Sequence, residues 1–236
     1  MPYRLQSYTL PQERDNWLPL SADDVVVWGT PVYAGRVPNK TIDFVRSHII
    51  ADGAKGICVA VFGNRHYDNA LAEMVDVMQQ GGIRPVAAAA VVSRHVFSPN
   101  TIAVGRPTED EFVAIDQWCD MIDLDKAESV HVPGNGSGAY YTPLGAQGRP
   151  AKFLKAMPRV DGLSCDGCGL CSQVCPMGSV RMADSVPVFE GICIKCQACV
   201  LDCPQQALSF ADADFLSHKE MLELHCSRPA DCAFFL

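Results

Sequence analysis

Long apolar runs are missing from this sequence: none approaches the roughly 20 residues that a bilayer-crossing helix needs. The start, Met1-Pro2-Tyr3-Arg4, also lacks the charged-then-apolar pattern of a secretory signal. A cytoplasmic location is therefore expected, with no membrane insertion. Basic residues are scarce as well. Nineteen Lys and Arg stand against 27 Asp and Glu, for a net charge of −8. Nucleic acid and anionic membrane both call for a basic surface, so neither is expected as a partner; a protein with a basic docking face fits better. Charged residues are only 19% of the chain and hydrophobic ones 48%, which excludes a disordered chain and leaves ample material for a packed core. No nucleophile and base stand in a recognisable motif, so no residue is assigned a catalytic role.

What the chain has in abundance is cysteine, twelve in all. Eight of them lie between Cys165 and Cys203 in steps of three and four residues. In a reducing compartment such spacing means metal rather than disulfides. Cys165, Cys168, Cys171 and Cys175-Pro176 follow Cys-x2-Cys-x2-Cys-x3-Cys-Pro, and Cys193, Cys196, Cys199 and Cys203-Pro204 repeat it at a constant offset of 28 residues. The repeat extends beyond the cysteines, with Val180 matching Leu208 and Met182 matching Phe210, as an internal duplication would require. A zinc site would use two separated Cys-x2-Cys pairs and leave the middle cysteines of both triplets without a partner. Three closely spaced thiolates wrap three corners of an iron-sulfur cubane, while the fourth, beside proline, turns toward the other cluster. The ligand sets then cross: Cys165, Cys168, Cys171 and Cys203 for one cluster, and Cys193, Cys196, Cys199 and Cys175 for the other.

Residues 158–212 resemble the bacterial 2x(4Fe-4S) ferredoxins, a small α+β fold that carries two 4Fe-4S clusters. Gly167, Gly169 and Gly191 are expected to let backbone amides approach the clusters. Leu170, Ile192, Ile194, Val200 and Leu201 are expected to exclude water; both effects tune the potential. Of the four remaining cysteines, Cys58 and Cys119 fall on apolar strand and helix faces and are expected in a core. For Cys226 and Cys232 the sequence is silent.

The first half reads differently. Continuous apolar runs at Val25 to Trp28, Gly56 to Phe62 and Val86 to Val92 suit strands buried on both faces. Helical patterns lie between and after them: Ile42, Val45 and Ile49; Leu71, Met74, Val75 and Met78; and Phe112, Ile115, Cys119 and Ile122. Thr108 with Glu111 makes a capping box for the last helix. Strands alternating with helices indicate a parallel α/β sheet. The expected division is 1–142 for this domain, 143–157 for a turn-rich linker, 158–212 for the cysteine domain, and 213–236 for an extension with a short helix over Phe215 to Leu224.

In open parallel sheets ligands bind at the carboxyl ends of the strands. Two loops stand there, Gly29 to Pro38 and Phe62 to Asn69. With His95-Val96-Phe97-Ser98 they resemble the flavodoxin domain of flavodoxin-ferredoxin fusion proteins, over most of residues 3–122. That resemblance implies an FMN site in which Tyr67 stacks on the flavin ring with Tyr33 nearby, while amides of Thr30, Gly63 and Asn64 meet its polar edge. The sequence departs from the family in having no first strand and no Ser/Thr-Gly-rich phosphate loop. Tyr3 to Leu10 reads instead as the second strand of a flavodoxin-like sheet incomplete at its N-terminus. Three outcomes remain open: a start further upstream, a strand lent by another chain in a homo-oligomer, or direct pairing of the strands on either side with loss of FMN. Arg36, Arg65, His66, His95 and Arg106 are candidates for steering an anionic ligand, although solvated loop charges are the commoner case.

The function expected is electron transfer, with low-potential electrons passing through two clusters to a flavin or to a redox protein partner. A flavin-dependent reductase fed by its own ferredoxin module, and a subunit of a larger redox complex, are the alternatives.

Overall fold

A computed structural model describes residues 3–15 and 17–236; Met1 and Pro2 of the start discussed above lie outside them. The elements in chain order are β1 (Val25–Pro31), α1 (Ile42–His48), β2 (Lys55–Phe62), α2 (Ala70–Gln80), β3 (Arg84–Val92) and α3 (Glu109–Met121). They continue with β4 (Arg159–Val160), α4 (Leu170–Gln173), β5 (Val180–Ala183), β6 (Val186–Phe189), α5 (Ala198–Leu201), β7 (Leu208–Ser209), α6 (Ala213–His225) and β8 (Ala233–Phe235). Two compact units result: residues 1–18 with 143–221, and residues 19–142 with 222–236.

The second unit is a mixed sheet in the order β1-β2-β3-β8. β1, β2 and β3 run parallel, as the apolar runs and the intervening helices require. β8 adds an antiparallel strand, with Ala88 opposite Phe235 and Ala90 opposite Ala233. On one face, Cys58, Ala60 and Phe62 of β2 are buried, and so are Leu71, Met74 and Met78 of α2. Gly56 lets Met78 pack closely here: a Cβ would lie 2.3 Å from the Met78 sulfur and displace that side chain. On the other face, Trp118 of α3 packs on Ala87, Ala89 and Val91 of β3, and its Nε1 donates to the Phe235 carbonyl at 3.2 Å. The alanines of β3 keep that strand thin enough for both faces to be covered.

Coverage fails over β1. On the α3 side Val27 is 63% exposed, and Val61 of β2 is also exposed. Val25, Ile57 and Val59 are half-buried there. Parallel sheets ordinarily have both faces covered, so this apolar strip is unusual. The α3 face corrects one expectation. Thr108 and Glu111 form the capping box, with the Glu111 N–H donating to Thr108 Oγ1 at 3.3 Å and the Thr108 N–H to Glu111 Oε2 at 2.7 Å. The helix then presents Ile115, Trp118 and Ile122 to the sheet, leaving Phe112 and Cys119 exposed. Trp118 is the bulkier anchor and turns the helix toward itself.

A second correction concerns Tyr3 to Leu10, which forms no strand and is grouped with the cysteine unit. Tyr3 and Leu5 are almost fully exposed. The Tyr8 and Thr9 carbonyls accept from the Arg14 guanidinium at 2.8 Å each, and Arg14 also donates to the Pro176 carbonyl at 2.9 Å. Those two carbonyls are thereby used outside any sheet. The sheet consequently ends at β1 among the described residues.

The first unit is built from much shorter pieces: β4 pairs with β7, and β5 with β6, both antiparallel. Residues 143–157 lie against α6, where the Ala146 N–H donates to Ser217 Oγ at 3.1 Å, the Lys152 N–H to Asp214 Oδ2 at 2.9 Å, and His218 Nδ1 pairs with the Leu144 carbonyl at 2.7 Å.

Candidate functional site

The duplication seen in the cysteine spacing is repeated in the backbone. Helix α4 starts after Gly169 and α5 after Gln197, 28 residues on, and both of these residues are left-handed, with φ of 76° and 66°. Gly167 pairs in the same way with Lys195 (74° and 58°), and Gly178 with Gln206 (60° and 51°). Glycine is free to adopt this conformation, whereas a residue with a Cβ pays about 1–2 kcal/mol. The first half therefore meets the geometry with glycine and the second meets it under strain. Gly167 has a further reason, since a Cβ would stand 2.7 Å from the Ser185 carbonyl oxygen.

Each short helix carries one of the cysteines that line a cavity, Cys171 on α4 and Cys199 on α5. One cavity is lined by Cys165, Cys168, Cys171 and Cys203, together with Asp166, Leu170, Met182, Pro187, Gln205 and Leu208. The other is lined by Cys175, Cys193, Cys196 and Cys199, with Met157, Pro176, Ile192, Ile194, Phe189 and Phe210 among its neighbours. In each, three cysteines come from one motif and the fourth from the other. The two fourth cysteines are held alike: the Ser179 N–H donates to Cys175 Sγ at 3.3 Å, and the Ala207 N–H to Cys203 Sγ at 3.4 Å. Between the cavities, Cys171, Val180 and Leu208 form a small buried cluster flanked by Cys175, Cys199, Val200 and Cys203. Among the described residues no group of three or more His, Cys, Asp or Glu side chains gathers around a single ion position. The thiols line the two cavities described above.

The electrostatics are those of thiols out of water. Burial, reinforced by the neighbouring cysteines, pushes the Cys199 thiol up to about 12. Burial also raises Cys171, Cys193 and Cys196. These cysteines would hold a cluster as thiolates, so its loading would release protons. This part of the chain carries iron-sulfur electron-transfer chemistry. Residues 164–208 match the family model of the 4Fe-4S dicluster domain. No curated protein matches the chain.

At the strand ends of the sheet unit, the residues singled out for a flavin lie on neighbouring loops with much of their chemistry engaged. Asn64 is buried, and its amide donates to the carbonyls of Cys226 (2.6 Å) and Arg228 (3.0 Å) while its oxygen accepts from the Ala230 N–H (2.9 Å). Thr30 is buried. Gly63 abuts His95, whose Cδ2 would be 2.8 Å from an added Cβ. Tyr67 stacks on His66 and meets Phe62 edge-on, and Tyr33 pairs with Arg36 through the backbone.

The anion-steering candidates are corrected. Arg36 is buried in a bidentate pair with Glu73 at 2.6 and 2.8 Å, and it also donates to the carbonyls of Gly136 and Gly138. Arg65 pairs with Asp68 and lies 4.0 Å over the Tyr141 ring. Arg106 pairs with Glu111 and donates to the Ala230 carbonyl. His66 Nδ1 accepts from the Asp68 N–H at 2.8 Å and His95 Nδ1 from the Phe97 N–H at 3.2 Å. Each of the three guanidiniums thus pairs with a carboxylate, and those of Arg36 and Arg106 also donate to backbone carbonyls. Sequence pattern missed the tail: 226–230 bonds Asn64, and β8 follows it. The only signal was the apolar Ala-Phe-Phe-Leu ending, too short to mark a strand.

Proposed function

We propose that this chain is a ferredoxin-type electron carrier holding two 4Fe-4S clusters, one on Cys165, Cys168, Cys171 and Cys203 and the other on Cys193, Cys196, Cys199 and Cys175. The observation that carries this reading is the pair of cavities, each lined by three cysteines of one motif and the last cysteine of the other. When bound, such clusters supply one-electron transfer at low potential. The chain's own residues supply the thiolates, the N–H donors of Ser179 and Ala207 to the outlying sulfurs, and the apolar layer of Val180 and Leu208 that keeps water from the space between the sites. Anaerobically purified protein is expected to contain about eight irons and eight acid-labile sulfides per chain. Zinc in their place overturns the proposal. Cys175→Ser should damage the cluster of Cys193, Cys196 and Cys199, and loss of the other cluster alone would refute the crossing.

The electron acceptor in this reading is a redox protein with a basic face, matched to the net charge of −8. The resemblance to flavodoxin-ferredoxin fusions would add FMN at the strand ends. With Arg36, Arg65 and Arg106 paired and no phosphate loop, FMN should bind weakly or not at all. Stoichiometric FMN in the purified protein would instead favour the flavin-dependent reductase. The apolar strip around Val27 is the proposed contact with a second copy of the chain, because exposed parallel strands favour burial. A monomeric mass in solution rules that contact out.

A further inference from the structure

The internal duplication provides its own control. Three pairs of positions 28 apart, Gly167 with Lys195, Gly169 with Gln197 and Gly178 with Gln206, share a left-handed backbone, so their side chains mark where the halves were given different work. The largest such difference is Gly167 against Lys195, both left-handed. Lysine gains nothing from that backbone and strains it, yet it occupies the step between Cys193 and Cys196. Its side chain does not take the ordinary course of reaching into solvent. Lys195 is only 8% exposed, and Nζ donates to the carbonyls of Leu154 and Cys193, the latter at 2.8 Å. Two carbonyl acceptors suit an ammonium, which has three N–H groups to give.

The two cavities differ in the same sense. The first is lined by Asp166 and Gln205, and its Cys168 is exposed. Asp166 is itself exposed and bonds the Cys168 N–H and Gln205 Nε2, each at 3.1 Å. The second is walled by Met157, Pro158, Pro176, Met177, Ile192, Ile194 and Phe210, with no acidic or basic side chain in its lining. An apolar wall disfavours the added negative charge of a reduced cluster, and a nearby buried cation favours it.

We propose that Lys195 is the buried counter-charge of the cluster bound by Cys175, Cys193, Cys196 and Cys199, and that it holds that cluster's reduction potential above the value its apolar cavity would impose. The inference rests on the two-cluster reading. The other cluster has Gly167 in the equivalent place and takes its compensation from solvent at Cys168. An electron entering the protein is thereby given two unequal sites rather than two copies of one.

The test uses full-length protein reconstituted anaerobically, with iron counted before any potential is measured. In Lys195→Met and Lys195→Gly, each with about eight irons, one of the two reduction waves should move to lower potential while the other stays. Lys195→Gly copies the residue of the first half and removes the backbone strain, so assembly should survive in it even if methionine disturbs the loop. Lys195→Arg keeps the charge and should keep the wave close to its original position. Unmoved waves in both neutral variants overturn the proposal. Failure of both neutral variants to hold the second cluster, with Lys195→Arg holding it, also overturns it and makes Lys195 an assembly residue. Absence of iron from the unmodified chain would instead remove the two-cluster reading itself.

Discussion

The two units solve the problem of a core by opposite means. The sheet unit has strands of seven to nine residues in β1, β2 and β3, and helices of up to 13 residues. Its centre is a broad layer of Ala, Val, Met and Leu. Between residues 158 and 212 the cysteine unit has only two helices of four residues and strands of two to four, gathered around a buried cluster of Cys171, Val180 and Leu208; the longer α6 follows them. Helices and hairpins of that size are unstable alone, and small domains commonly depend on metal for the remainder. Burial organises one unit and ligation organises the other, so insults to metal and insults to packing should separate them.

The largest effect follows from removing iron. Treating the protein with an oxidant and a chelator should unfold residues 158–212 and leave the sheet unit intact. Hydrogen exchange read by mass spectrometry should show full protection persisting in β2 and β3 while amides of 164–208 exchange freely; equal loss in both would break the comparison.

The converse insult is Arg36→Met. It leaves buried Glu73, which also accepts the Val37 N–H at 2.9 Å, with only the longer and half-exposed Arg46 contact at 3.7 Å as a cation partner. Breaking a buried pair from one side costs about 3–5 kcal/mol. The unfolding free energy of the sheet unit, read from denaturant titration, should fall by up to that amount, with iron content unchanged.

Asn64→Ala is smaller and more local. It deletes three hydrogen bonds to the tail, at about 1 kcal/mol each, and should expose residues 226–230 to proteolysis before the rest of the unit unfolds.

The smallest effect is a titration. Arg106 holds the Glu111 carboxyl down at about 2, against an ordinary value of 4.5, with help from the Thr108 N–H. A carboxylate whose folded pKa is depressed contributes stability that is present above 4.5 and is lost as pH falls toward 2. Thermal melts of the sheet unit should lose stability through that window, and Arg106→Leu should flatten the dependence there.

The same contrast governs what was legible in the residues. For the cysteine unit, ligand spacing and the 28-residue repeat were enough to anticipate which thiols share a cavity, because iron-sulfur ligation is written in short steps along the chain. The three parallel strands, α1, α2 and the Thr108–Glu111 box were equally readable, since each depends on neighbours within a few positions. Other features were decided only when distant segments met. Arg14 took the carbonyls of Tyr8 and Thr9, and that stretch lies in no sheet. Trp118 outweighed Phe112 and Cys119 for the inner face of α3 because the alanines of β3 and the ring of Phe234 made room for it. Glu73 claimed Arg36 from 37 residues away, and β8 joined β3 from the far end of the chain. Spacing encodes what a residue does with its neighbours, whereas pairings across such separations depend on which partner lies within reach once the chain has closed on itself.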